Sequence, residues 1–228
     1  MLRGVLIPDD PRIITSSIRA AILSGRFETE EAASVDRIVR DGDRVLEIGA
    51  GLGFMSTLLA RRPEVARVVA VEANPDLIGY MAQLHADNGI AGVRRINAVL
   101  TNQDGPPATF FLREDFWMGS LMPGPNPYRD TVQVPTRNLD GLLREEAISL
   151  VVCDIEGAEC FVFEGADLSG VDRILVELHD HVTGLKGVAS LFRELGEQGF
   201  AYDPRHSCRS VVLFQRVPTN EVPRPYEG

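Results

Sequence analysis

The sequence predicts one α/β domain: a parallel sheet with an antiparallel final strand, preceded by helices and interrupted by a hairpin insertion. Three observations lead there. Apolar runs at 45–48, 67–72, 149–153 and 173–177 are nearly continuous, as in strands that a parallel sheet buries on both faces. Segments with helical spacing separate them, the alternation that produces crossover connections. The first run also leads into a glycine-rich turn, where open α/β sheets hold nucleotide-like ligands.

The whole-chain numbers agree with this reading. At 228 residues the chain suffices for one well-packed domain and is tight for two. A hydrophobic share of 44% with no 18-residue apolar run gives a core and no membrane span. The start, MLRGVLIPDDP, makes a poor signal peptide because Pro8 breaks a very short apolar run. Three cysteines, Cys153, Cys160 and Cys208, form no even framework and lack metal-ligand spacing, so reduced thiols and a cytoplasmic setting are expected. A net charge of -10 disfavours a nucleic-acid partner, which needs clustered Lys and Arg.

In chain order, Ile14, Ile18 and Ile22 mark a first helix within 11–25 that Gly25 ends. A second helix is expected over Glu30–Arg40, capped by Thr29, with Glu30 and Glu31 in its first turn. These helices form an N-terminal cap, residues 1–42. The loop between them is either a plain connection or a cover in which Phe27 and Glu28 lie over a ligand. The core, 43–217, opens with Val45, Leu46 and Ile48 as a strand. Gly49, Gly51 and Gly53 turn it into a helix over 54–62 that stops before Pro63. The strand at 67–74 ends on Glu72, Ala73 and Asn74. A helix follows over Asp76–Asn88, and a third strand over Val93–Leu100 carries Asn97.

Residues 104–138 break the alternation. Phe110–Leu112 and Val132–Val134 read as two strands, and PGPNP at 123–127 excludes regular structure between them. Phe116, Trp117 and Met118 near the bend suggest a lid or substrate-facing hairpin, or equally a contact in a homodimer or a core flap. A helix from Leu139, strands at 149–154 and 173–179, a helix over Val188–Leu195, and closing strands at 201–202 and 211–215 complete the core. The tail, 218–228, is expected to be extended.

The chemistry gathers at strand ends. Glu47, Glu72, Asp154 with Glu156, and Glu177 with His179 all close parallel strands, so they are expected on one rim. The turn is not a dinucleotide fingerprint, because Phe54 stands at the third glycine position of G-x-G-x-x-G. It is G-x-G-x-G with Glu47 two residues ahead, the form found in enzymes that use S-adenosylmethionine. An acid-lined pocket suits that ligand's sulfonium and ammonium, whereas a pyrophosphate calls for donors and positive potential.

RVLEIGAGLGFMS, VVAVEANPDLI, GSL at 119–121 with VQVPTRNLDGLL, VVCDIEGAE and ILVELH together resemble the FkbM-type methyltransferase family, over roughly residues 25–181. The resemblance implies a class I, Rossmann-like methyltransferase fold. It also implies S-adenosylmethionine as donor and a hydroxyl acceptor on a sugar, polyketide or other small natural product. Carried over by position, Glu47, Gly49, Ala50, Gly51, Gly53, Glu72, Ala73, Asn74 and Asp154 would contact the cofactor. Glu28 joins them from the segment before the turn, and Asn97 is a candidate for adenine.

A hydroxyl acceptor must lose its proton, so a base or a metal should lie within hydrogen-bond reach. Asp154, Glu156, Glu177 and His179 are the candidates. His179 leads because histidine titrates nearest neutrality; its plain alternative is a hydrogen-bonded residue at a strand end. Asp154, Glu156 and His179 offer oxygen and nitrogen ligands to a divalent ion, although nothing in their spacing demands one. Glu159 and Glu164 are expected to face solvent. Three rivals remain open: the same donor with another acceptor, either nitrogen of a small molecule or RNA, the latter disfavoured by the acidic balance; a non-catalytic protein on the same fold; and a nicotinamide oxidoreductase, against which Phe54 speaks.

Overall fold

The computed structural model describes residues 1–124 and 126–218 of the chain. The expected tail lies outside the described residues apart from Pro218. A seven-stranded sheet forms the middle layer. Its strands, in spatial order, are β10 (Phe200–Cys208), β11 (Val211–Arg216), β9 (Arg173–Glu177), β8 (Leu150–Cys153), β1 (Asp43–Ile48), β2 (Val65–Glu72) and β3 (Val93–Asn97). From β9 through β3 every pairing is parallel, and β11 runs antiparallel between β9 and β10. Five carboxyl ends therefore share one rim.

The two faces follow from the period of two in a strand. Val45, Val68, Ala70, Val152, Leu175 and Leu213 point to one side. There they pack under α1 (Ser16–Leu23), α2 (Thr29–Ile38), α3 (Phe54–Ala60) and α4 (Pro75–Asp87) through Ile18, Val35, Leu59 and Met81. Leu46, Val69, Val151, Ile174 and Val212 point to the other side. They meet α5 (Leu139–Glu146), the four-residue α6 (Glu159–Val162) and α7 (Asp180–Glu197) through Leu142, Val162, Leu191 and Leu195.

At the amino-terminal end of the sheet, a buried ion pair joins β1 to β9. Arg173 Nη2 lies 2.5 Å from Asp43 Oδ1, and the same guanidinium donates to the Ile38 carbonyl. Asp43 also accepts from Ser149 Oγ at 2.8 Å and from the Arg40 amide at 2.7 Å. This lock sits at the edge of the sheet away from the polar rim.

Several expectations need correction. The third strand breaks at Ala98; β4 (Val99–Thr101) leaves the sheet and pairs with β7 (Thr136–Asn138), rooting the insertion. Within the insertion, β5 (Ala108–Leu112) and β6 (Asp130–Val134) form the antiparallel hairpin, with one 3-10 turn at Phe116–Met118. Thr29 does not cap α2. Glu28 takes that place with a left-handed φ of 46°, and Thr29 Oγ1 donates back to the Gly25 carbonyl. The last helix begins eight residues before Val188 and kinks at Gly184, where φ is 65°.

Candidate functional site

The carboxyl ends of β1, β2, β8 and β9 open into one cavity of about 1160 Å³. Its roof comes from the loop between α1 and α2 and from the insertion. Phe27, buried, meets the Trp117 ring at 6.3 Å and the Phe116 ring at 6.4 Å, so the two segments close on each other. Arg113, also buried, holds the bend by donating to the Met118 carbonyl at 2.8 Å, Ser120 Oγ at 2.9 Å and the Met122 carbonyl at 2.9 Å.

The turn after β1 requires glycine at Gly49. Its φ is 85°, and a Cβ there would stand 1.7 Å from the Asp154 carbonyl oxygen. The end of β1 thus crosses the end of β8 backbone to backbone, which brings Asp154 beside the turn. Gly53, with φ of 84°, meets a different constraint: a Cβ would lie 2.4 Å from Met81 Cγ of α4. Phe54 then starts α3 fully buried, so the third fingerprint position holds a core residue.

Glu72 closes the turn from the neighbouring strand. Its Oε2 accepts from the Gly51 amide at 2.8 Å and its Oε1 from the Asn74 amide at 2.7 Å. Burial pushes its pKa up, and these backbone donors pull against that. Glu47 is 4% exposed and sits in a small side hollow that shares Glu28, Glu31, Gly49 and Asp154 with the main cavity. Its Oε2 has no hydrogen-bond partner among the described residues, and burial drives its pKa up to about 8. Glu28 is raised well above the usual carboxylate range by burial and by Glu47 and Asp154 nearby.

Opposite lie the groups from β8 and β9. Asp154, raised to about 7 by burial, and Glu156, raised by burial, both line the cavity. Glu156 has a left-handed φ of 51°, which in a residue with a side chain persists only where the surroundings impose it. His179 is 6% exposed, behind this pair, with Nε2 at 3.5 Å from Asp154 Oδ1 and 3.6 Å from Glu156 Oε2. Burial opposes its protonation, but Glu159, Asp154 and Glu156 outweigh that and lift it to about 9. With no ion bound, these carboxylates favour the protonated ring at neutral pH.

Two acids escaped the sequence reading. Glu159 faces inward, not solvent, and is fully buried. It accepts from the backbone amides of Gly157 and His179, each at 2.8 Å. Burial pushes its pKa up, yet the His179 ring and backbone amide beside it bring it below the usual value. Glu164 is exposed, as expected, at the cavity edge. Glu31 lines the wall beside Glu177, and burial raises it to about 7. Two acids opening a helix read as charges favouring its amino terminus, which hid Glu31.

Of the predicted residues, Glu28, Gly49, Gly51, Glu72, Ala73, Asp154, Glu156 and Glu177 line the cavity. Others stand behind it. Ala50 is buried in the core, and Asn74 caps α4 through the Asp76 amide at 3.1 Å. Asn97 Nδ2 donates to the carbonyls of Glu72 and Ala73, both at 2.9 Å, so its amide is engaged in holding the end of β2. Around the cavity, eight carboxylates face two guanidiniums, Arg26 and Arg209, and Arg209 is paired with Glu30 at 2.6 Å. Such a wall favours a cation and disfavours a pyrophosphate.

Comparison with known proteins adds three findings. Residues 47–202 match the family described as "Methyltransferase FkbM domain". A search of curated proteins gives no match. Among solved structures, a methyltransferase from Pyrococcus furiosus is similar at a TM-score of 0.51 and 14% identity, covering 94% of this chain and 90% of that one. A putative tRNA (m1A22) methyltransferase from Streptococcus pneumoniae, in complex with S-adenosyl-L-methionine, is similar at 0.53 and 11%, covering 85% and 75%. At these identities the likeness is one of fold, that of class I Rossmann-like methyltransferases.

Proposed function

The chain belongs to the FkbM methyltransferase domain family, and from that premise we propose that it moves a methyl group from S-adenosylmethionine to a hydroxyl of a small molecule. The observation that carries the proposal is the acid-lined cavity at the carboxyl ends of the parallel strands, with Gly49 pressed against the Asp154 backbone. The residues present suit the donor. Glu47, buried with an unpartnered oxygen, is placed for a cationic group, and Glu72 with the Gly49–Gly51 turn offers a carboxylate and bare backbone for ribose.

When bound, S-adenosylmethionine supplies an electrophilic methyl group. The chain's own contribution is position and management of one proton. Phe27, Phe116 and Trp117 pack together and give the cavity an apolar wall. With no ion bound, His179 favours its protonated form beside Asp154 and Glu156, and the acceptor hydroxyl's proton goes to a wall carboxyl. Glu31 fits that role: it titrates at about 7, with Glu177 beside it. An acidic wall also favours a small molecule over RNA as acceptor.

The experiment is a transfer assay with methyl-labelled donor and matched acceptors: a hydroxylated sugar or polyketide, its deoxy analogue, and its amino analogue. Label that follows the hydroxyl supports the proposal. Label on the amino analogue alone would replace it with N-methylation.

A further inference from the structure

We propose that Asp154, Glu156 and His179 form a binding site for one divalent metal ion at the edge of the cavity. The inference deepens the function proposed above and rests on the same cavity. One ligand atom from each residue can be chosen so that all lie within 4.8 Å of one another. Nε2 of His179 stands 3.5 Å from Asp154 Oδ1 and 3.6 Å from Glu156 Oε2. Those separations are too long for good hydrogen bonds and near the roughly 3.0–3.4 Å that separates two ligands on an ion with bonds of about 2.1 Å.

Two further observations point to a ligand. The His179 side chain is 7% exposed, and neither ring nitrogen makes a hydrogen bond among the described residues; Asp154 Oδ1 is likewise buried without a partner. Behind the ring, Glu159 fixes its placement. Glu159 accepts from the His179 backbone amide and sets Oε1 3.4 Å from Nδ1. A buried carboxylate on the far nitrogen of an imidazole is the outer-shell arrangement that orients metal-ligating histidines and directs the other nitrogen to the ion. Here that nitrogen is Nε2, directed at two carboxylates. One imidazole with two carboxylates suits Mn²⁺ or Zn²⁺ ahead of Ca²⁺. Since Asp154 and Glu156 line the cavity, an ion among the three borders the acceptor's space.

The test is Mn²⁺ titration of the full chain after chelator treatment, with free Mn²⁺ read by electron paramagnetic resonance. One equivalent should bind, with a nitrogen coupling from the imidazole in pulsed spectra of the unsubstituted protein. His179→Gln should abolish that coupling. Glu156→Gln and Asp154→Asn should each weaken binding at least tenfold, while Glu164→Gln leaves it within twofold. Far-ultraviolet circular dichroism and thermal unfolding of each variant without metal report whether it is folded. A chain that binds S-adenosylhomocysteine and takes up no Mn²⁺, or takes it up without nitrogen coupling, refutes the site: the cluster is then an imidazolium held by carboxylates. A chain that takes up Mn²⁺ with the coupling but ignores S-adenosylhomocysteine keeps the site and refutes the function.

Discussion

Glu47→Gln isolates the electrostatics of the cofactor end. Glutamine keeps the shape of the side chain and removes the charge. In the folded protein the Glu47 pKa stands at about 8, against an ordinary 4.5, because burial outweighs its contact with Ser56. A carboxyl raised on folding contributes its full stability below the unfolded pKa and loses it as pH rises through the folded one. Between about pH 4.5 and 8 the folded chain thus binds one proton that the unfolded chain has released, a slope of about 1.4 kcal/mol per pH unit. Over pH 6–8, Glu47 alone removes on the order of 2 kcal/mol.

The variant should therefore unfold at higher urea than the parent at pH 8, with the gap closing toward pH 5. Binding should respond in the opposite sense. The ligand's ammonium group draws the proton off Glu47, so S-adenosylhomocysteine binding at pH 7 should release part of a proton, seen as heat that varies with buffer ionisation enthalpy. In the variant that release should shrink and affinity fall at least tenfold, about 1.4 kcal/mol, a modest share of the ~4 kcal/mol of two unit charges 4 Å apart at an effective dielectric of 20. Equal affinity, equal proton release and parallel stability profiles would refute this placement of Glu47.

The other predictions address separate parts of the account. Gly49→Ala should destabilise the fold by about 3 kcal/mol or more in urea unfolding, because the new methyl meets the Asp154 carbonyl. Arg173→Met should cost about 3–5 kcal/mol by leaving Asp43 buried and unpaired. Its affinity for S-adenosylhomocysteine should change less than threefold, since the pair sits at the far end of the sheet. Glu31→Gln should lower turnover at least a hundredfold with cofactor affinity little changed. In the parent, rate should rise as pH passes about 7 and Glu31 ionises; the variant should lose that limb in a pH–rate profile.

The parts of this protein legible in its sequence are those fixed by backbone period and local turn chemistry. Ile48, Glu72, Cys153 and Glu177 end their strands within a residue or two of where the apolar runs stop, because parallel pairing aligns them. Gly49 and Gly53 mark the turn because no other residue fits there. What stayed hidden depends on contacts between distant segments. Ala98 breaks a continuous apolar run because Val99 pairs with Thr136 of the insertion. Glu159 belongs to a helix of only four residues, too short for its period to tell inside from outside. The charge on His179 depends on carboxylates up to 25 positions away, one of which was expected to face solvent.

Calorimetric titration of the full chain with S-adenosylhomocysteine, with NADH titrated in parallel, tests the central claim most directly. Saturable one-site binding of the former and none of the latter is what an acid-rimmed hollow at the β1 and β2 ends predicts. Saturable NADH binding, with S-adenosylhomocysteine ignored, would contradict it.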